Sequence, residues 1–505
     1  MTLGTKVIQG VSWSVLARLG SQLFQLAFSV VLARLLSPVE FGEMGMLIVF
    51  TGFAQALADC GLTSALIQRQ EITEAHRSTT FWLQLIVGWL LAVAFFCGAP
   101  LIAAFYDLPE LATLIRAVSC VFVIQAWAQT QYSLLLKELK FKQVAIATVG
   151  STVAAGVLAV ILALRGYGVW ALVWQSVAGA AVTSILVKMQ SSWRPRFVLD
   201  TAAIKDLGGY AAYLTAHSSL NYWLRNGDNL LIGKVLGAQQ LGIYARAYTL
   251  MLLPINNVSA VLGQVMFPAL SMLQSEPARF SRSYLAATRM IAFVSFPLMA
   301  GAAILAEPFI NLLLGGKWAQ VIPVFRVLST VGLFQSIIFP VAWVFTALGK
   351  TRTQFILSCC YAIIFIIAIA IGSRFGIIGV AYAYAAWTLL AGWCNLHFAG
   401  RYMGIGSGRI IASVARIAWL TAIMGGVLLM FDRAVAAELA DWARLALGIL
   451  ISACTFGSLC VALRDPTFLE LKEIIARRPG ARSSRGADNA AVDRRFATDR
   501  SDSTA

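Results

Sequence analysis

The chain has 505 residues, 59% of them hydrophobic and 12% charged, with a formal net charge of +16 at pH 7. A water-soluble domain is nearer half apolar and a quarter charged, so the expected solvent is a lipid bilayer. Apolar stretches roughly two to three times the length of a barrel strand exclude a β-barrel, and basic residues gathered at span ends without a nucleic-acid-binding motif exclude nucleic acid as a partner.

Read in chain order at the length a bilayer requires, the sequence predicts an all-α polytopic membrane protein of about 14 transmembrane helices. In the first half these are 7–36, 41–68, 79–105, 111–136, 144–164 and 168–187. In the second half they are 207–236, 241–273, 284–305, 321–348, 355–373 and 376–402, followed by 410–431 and 443–463. Lys6 precedes an apolar segment that runs on past Leu32 with no small-residue cleavage site, so it reads as a first span that also directs insertion. Residues 466–505 form a basic tail, rich in Arg, Ala, Ser and Asp from about 477, and are expected to be disordered there.

Loop charge predicts orientation. The N-terminus and the even-numbered loops carry sixteen Lys and Arg, the odd-numbered loops seven. The even loops and both termini are therefore expected in the cytoplasm. An echo 200 residues apart divides the chain. Leu32 to Gly42 reads LARLLSPVEFG and Ile232 to Gly242 reads IGKVLGAQQLG, with Arg34 matching Lys234, Leu36 matching Leu236 and Gly42 matching Gly242. A fainter echo joins Arg165-Gly-Tyr-Gly-Val-Trp-Ala to Arg374-Phe-Gly-Ile-Ile-Gly-Val-Ala. The expected architecture is two six-helix lobes, 1–200 and 201–405, related by a parallel pseudo-two-fold repeat, with two appended helices in 406–465.

Nothing in the chain points to catalysis, and no cofactor is expected. The three histidines, His76, His217 and His397, do not cluster, and neither an H-E-x-x-H nor a G-x-S-x-G motif occurs. Gly349-Lys350-Thr351 resembles the end of a phosphate-binding loop, but Val344 stands where the earlier glycine belongs. The eight cysteines, Cys60 and the adjacent Cys359 and Cys360 among them, fall in apolar stretches without a C-x-x-C pair and read as small helix residues.

Charges inside spans cost a few kcal/mol or more in hydrocarbon, so each should meet a partner or an aqueous cavity. Arg18 sits near the middle of span one and Asp59 well inside span two. Arg225 and Asp228, spaced i and i+3, share a helix face in span seven, and Arg289 lies two turns into span nine. Arg116, Arg246 and Arg326 are nearer the outer ends of their spans. Basic members outnumber acidic ones, which suits a cavity for an anion, and the planar fork of arginine suits phosphate. The structural alternatives are an intrahelical Arg225–Asp228 pair and snorkelling of the shallow arginines. Pro254, Pro268, Pro297, Pro323 and Pro340 load the second half, against Pro100 in the first. They predict either static kinks or a lobe able to bend.

Several stretches resemble a known family. Gly10–Gly20 (GVSWSVLARLG), Ala33–Gly42 (ARLLSPVEFG), Asp59–Gln68 (DCGLTSALIQ), Asn229–Tyr244 (NLLIGKVLGAQQLGIY) and Ala347–Arg352 (ALGKTR) resemble bacterial polysaccharide flippases of the multidrug/oligosaccharidyl-lipid/polysaccharide superfamily, in the branch of colanic-acid-type exporters. The resemblance implies a V-shaped bundle of two lobes around a cationic cavity in the bacterial inner membrane. The activity it implies is movement of an undecaprenyl-pyrophosphate-linked oligosaccharide from the cytoplasmic to the periplasmic leaflet by alternating access, coupled to an ion gradient. Its implied partners are that lipid-linked substrate, the membrane, and the polysaccharide polymerase and glycosyltransferases of exopolysaccharide or lipopolysaccharide synthesis. The alternatives are a cation or multidrug antiporter, which would want acidic residues where this chain offers mainly Asp59 and Asp228, and an integral membrane glycan polymerase or ligase, which would want a larger outer loop than 306–320.

Overall fold

The computed structural model describes residues 3–59, 61–69, 72–435 and 438–469, so the expectations for the tail beyond 469 and for Cys60 lie outside the described residues. The first lobe is α1 (Leu3–Leu35), α2 (Pro38–Ala58), α3 (Leu62–Gln68), α4 (Glu74–Phe105), α5 (Leu111–Lys137), α6 (Phe141–Leu164) and α7 (Trp170–Gln190). The second is α8 (Thr201–Met272), α9 (Pro277–Ile304), α10 (Ala306–Leu313), a 3-10 turn at Gly316–Trp318, α11 (Val321–Ile338), α12 (Val341–Ala347), α13 (Thr351–Ser373) and α14 (Gly376–Tyr402). The appended pair is α15 (Ser407–Val435) and α16 (Asp441–Ala462). Eleven segments among the described residues are long and apolar enough to cross a membrane. α1 and the two arms of α8 match them in length, but Arg18, Arg225 and several glutamines and asparagines make them more polar.

Local chemistry sets the breaks. Between α1 and α2, Ser37 and Glu40 form a capping box, with Pro38 at the first helical position. In the second lobe the corresponding break is a single residue: spans seven and eight run together as α8, interrupted only at Gly237, where φ is +81°. Two predicted spans prove discontinuous. The segment 41–68 breaks after Ala58, where Gly61 takes φ +63° and lies so close to the Ala211 backbone that no Cβ would fit. The segment 321–348 breaks at Pro340, between α11 and α12. Pro254, Pro268 and Pro297 lie within continuous helices.

The repeat extends further than its first echo. Residues 111–120 (LATLIRAVSC) and 321–330 (VIPVFRVLST) match at an offset of 210, and their side chains alternate between buried and exposed in the same order. The turns that follow take positive φ at equivalent places, Leu139 and Gly349, each before a lysine. The main core belongs to both lobes, with Met46, Leu47 and Leu114 packing in one cluster with Leu241, Tyr244 and Leu328. Each lobe therefore completes its burial against the other. α15 packs along α9, and Arg444 of α16 ties the pair down through Asp432 (Nε–Oδ1 2.7 Å) and Glu307 (Nη2–Oε2 3.4 Å).

Candidate functional site

At the end of the bundle that carries residues 36–42 and 236–242, the lobes close on a pseudo-two-fold seam. A Cβ on Gly42 would overlap the Ala238 carbonyl, and one on Gly242 would overlap the Pro38 carbonyl. These two contacts are images of each other under the 200-residue repeat. Symmetry-related pins flank them. The Lys234 ammonium meets the Asp107 carboxylate of the first lobe at 2.6 Å. Its counterpart Arg34 reaches the Leu312 and Leu313 carbonyls of the second lobe. Trp318 donates from Nε1 to the Ala33 carbonyl at 2.7 Å, and Tyr222 donates to the backbone of Val49 at 2.8 Å.

The charged candidates separate once their partners are known. Arg18 on α1 and Arg225 on the first arm of α8 are exposed, and neither guanidinium has a hydrogen-bonding or ion-pair partner among the described residues. Arg225 makes no ion pair with Asp228. Asp228 is buried, accepts from the Asn229 N–H at 2.8 Å and faces the Tyr244 hydroxyl at 3.4 Å. Asp59 caps α2 and accepts from Thr63 and from Gln129 (3.3 Å), which ties α2, α3 and α5 together. Arg246 turns inward, donating to Ser29 at 2.6 Å and stacking 3.8 Å above the Phe41 ring. Arg116 and Arg326 are repeat mates: Arg116 lies against Phe96, and Arg326 approaches Glu307 at 3.9 Å. Arg289 lines a separate cavity of about 670 Å³ with Arg282 and Arg409.

A second repeat-related feature is a cavity in each lobe. The first-lobe cavity, about 480 Å³, is bounded by α1, α5, α6 and α7. The second-lobe cavity, about 260 Å³, is bounded by α11, α13 and α14. Much of their walls corresponds, although Gln25, Gln129, Tyr132 and Gln175 have no counterpart in the second-lobe lining. Gln125 matches Gln335, and Thr148, Ser151, Thr152 and Ala155 match Ser358, Tyr361, Ala362 and Phe365, all at an offset of 210. On the last helix Gly179, Ala180, Thr183, Ser184 and Val187 match Trp387, Thr388, Ala391, Gly392 and Asn395 at an offset of 208. Weighing only charged residues missed this feature. Its signal in the sequence is the set of glutamines, Gln25, Gln125, Gln129 and Gln175, inside otherwise apolar spans. A fourth cavity, about 610 Å³ and almost wholly apolar, lies between α1, the second arm of α8, α9 and α16, with Leu26, Leu253, Pro297 and Phe456 in its wall.

Comparison with known proteins identifies the family and the fold. A family model described as polysaccharide biosynthesis protein matches residues 31–323. The chain is 30% identical over 355 residues to the teichuronic acid biosynthesis protein TuaB of Bacillus subtilis, covering 69% of this chain and 73% of that one. It is 29% identical over 394 residues to the lipopolysaccharide biosynthesis protein WzxC of Escherichia coli, covering 76% and 79%. Among solved structures, the lipid II flippase MurJ in an inward closed conformation superposes with a TM-score of 0.71 at 15% identity, covering 90% of this chain and 99% of that one. An inward-facing multidrug resistance transporter of the MATE family superposes at 0.59 and 16% identity, covering 76% of this chain and 94% of that one. These likenesses establish the fold.

Proposed function

The chain belongs to the family of polysaccharide biosynthesis proteins, and from that premise we propose that it is a flippase moving an undecaprenyl-pyrophosphate-linked oligosaccharide from the cytoplasmic to the periplasmic leaflet. The observation that carries this reading is the pairing of a seam shut at one end with two arginines, Arg18 and Arg225, left unpaired on repeat-related helices. An unpartnered guanidinium at membrane depth is costly, and a pyrophosphate offers its planar fork two oxygens. The loop charges assign the seam to the periplasmic side and both termini to the cytoplasm. In this assignment the substrate enters from the cytoplasmic end, its tail lies along the apolar cavity beside α16, and the seam opens to release it. In this reading an ion gradient or the substrate itself drives the cycle. The superfamily's multidrug fold does not favour a cation antiporter here, because the acids such a transporter would use, Asp59 and Asp228, are already engaged by Thr63, Gln129 and the Tyr244 hydroxyl.

Deletion of the gene is expected to leave the lipid-linked oligosaccharide accumulated on the cytoplasmic face and inaccessible to a periplasmic glycan-modifying probe. Undiminished periplasmic exposure in the deletion strain would sink the proposal.

A further inference from the structure

We infer that the cavity where α9 and α15 begin binds the phosphate headgroup of an anionic phospholipid of the cytoplasmic leaflet, a lipid that is held and not transported. Only the orientation is taken from the flippase reading. Arg282, Arg289 and Arg409 line this space of about 670 Å³, and no carboxylate lines it. Its wall comes from α9, the turn after α14 and the start of α15, with no residue of the first lobe. It is therefore separate from Arg18 on α1 and Arg225 on α8. The shortage of negative charge extends along the sequence. Between Glu276 and Asp432 the chain holds one acidic residue, Glu307. That residue lies beyond the far end of α9, where Arg444 meets it at 3.4 Å. The cations around the first lobe at this same end are neutralised instead: Arg69 meets Asp206 at 3.0 Å and Lys140 meets Glu138 at 2.6 Å. Lys350 is the repeat mate of Lys140, but Leu348 stands where Glu138 does. The tail 470–505 carries eight basic side chains against six acidic ones, so it does not supply the balance. Like charges around one space favour an anion within it.

Depth and lining select a lipid. α9 has 28 residues and is about 42 Å long, against about 30 Å of hydrocarbon, so its first turns stand among the headgroups. Arg282 and Arg289, seven residues apart, share a face and reach ~10 Å along the axis from that layer toward the hydrocarbon. Leu285, Ile405 and Ala412 make part of the wall apolar, and α15 turns Ile411 and Trp419 outward at 38% and 58% exposure. A phospholipid matches both halves: its phosphate accepts from the guanidiniums, and its glycerol and acyl chains cover the apolar surface. Inorganic phosphate matches only the first. The cavity is also held in shape. The Ser281 hydroxyl donates to the Met403 carbonyl at 3.0 Å, tying α9 to the turn. Gly404 takes φ +69°, and the Ile405 N–H donates to the Gly400 carbonyl at 2.9 Å, which closes α14. Both α9 and α15 begin here, and no side chain caps α9, so the first N–H groups add positive potential.

The test is a titration of the purified full-length protein, followed by native mass spectrometry. The probes are phosphatidylglycerol, phosphatidylethanolamine (the same phosphate with its charge cancelled) and inorganic phosphate. Wild type is expected to bind phosphatidylglycerol at least tenfold more tightly than phosphatidylethanolamine, and millimolar inorganic phosphate should not displace it. The double variant Arg282→Gln with Arg409→Gln should lose at least fivefold in affinity for phosphatidylglycerol. Both side chains are exposed, so the fold does not depend on them. Arg289→Gln, deeper in the wall, should lose a similar factor. Arg352→Gln, an exposed arginine at the same end but outside the cavity, should bind as wild type does. Equal affinity for the two lipids would overturn the inference. So would an equal loss in Arg352→Gln, which would mean diffuse attraction to a basic surface. Displacement by inorganic phosphate would assign the cavity to a soluble anion and remove the lipid. Each of these results leaves the flippase reading standing, because that reading is tested by the deletion strain.

Discussion

The two lobes present repeat-related cavities that differ in size and lining. In the second lobe Tyr361, Phe365 and Trp387 close the space to about 260 Å³, and the Trp387 indole donates to the Tyr361 carbonyl at 3.0 Å. In the first lobe Ser151, Ala155 and Gly179 leave about 480 Å³, onto which the exposed Gln25 and the half-buried Gln125 and Gln175 open, whereas Gln335 Oε1, the Tyr361 hydroxyl and Thr388 Oγ1 on the second-lobe cavity are buried without a partner among the described residues. The first arm of each half differs in the same sense, since Gln25 on α1 corresponds at the 200-residue offset to Arg225 on α8. Where the lobes meet, by contrast, they are alike: Gly42 against Ala238 is the image of Gly242 against Pro38. The repeat has been retained where two surfaces must fit each other and has diverged in the walls of the two cavities.

The largest expected effect comes from breaking the likeness. Gly42→Val and Gly242→Val each drive a side chain into a backbone carbonyl, so neither seam can close. Each should lower polymer export at least tenfold, and cysteines placed at the seam should become accessible to a membrane-impermeant thiol reagent. Since the two contacts are images, one variant behaving as wild type while the other fails would break the equivalence of the halves.

Next in size are the unpaired charges. Arg18→Ala and Arg225→Ala should each reduce export about tenfold at normal protein level, on the scale of the ~1.5–3 kcal/mol of a hydrogen bond to a charged group. Lysine at either position should restore part of it, returning the charge without the fork. Wild-type export by both alanine variants would remove the arginines from the site.

The smallest effect on transport is expected in the second-lobe cavity. Trp387→Ala should cost about 3 kcal/mol of stability, as truncation of a packed aromatic does, read as a lower melting temperature in detergent, with export reduced less than twofold. A tenfold loss of export there would mean that the filled cavity also takes part in transport, and the contrast between the lobes would fall.

Much of the architecture is legible along the chain. Helix positions follow from apolar length, and the division into halves from Arg34, Gly42 and their counterparts, because burial in lipid and glycine at a close crossing are requirements that each segment carries in itself. The two broken spans were also marked locally, by Gly61 and Pro340, but a glycine or proline does not say whether its helix will stop or merely bend: Pro254 and Pro268 leave α8 continuous. What only the tertiary structure decided is which polar residues are already satisfied. Arg246 finds Ser29 217 residues away, Asp59 finds Gln129 70 away, and Asp228 faces Tyr244 rather than its helix neighbour Arg225. The side chains of Arg18, Gln25, Gln125 and Gln175 find no hydrogen-bonding partner among the described residues, and each stays at least partly exposed. The physical reason is that a span's hydrophobicity is a sum over its own residues, whereas the cost of a polar group in a membrane depends on what the fold brings within hydrogen-bonding distance of it.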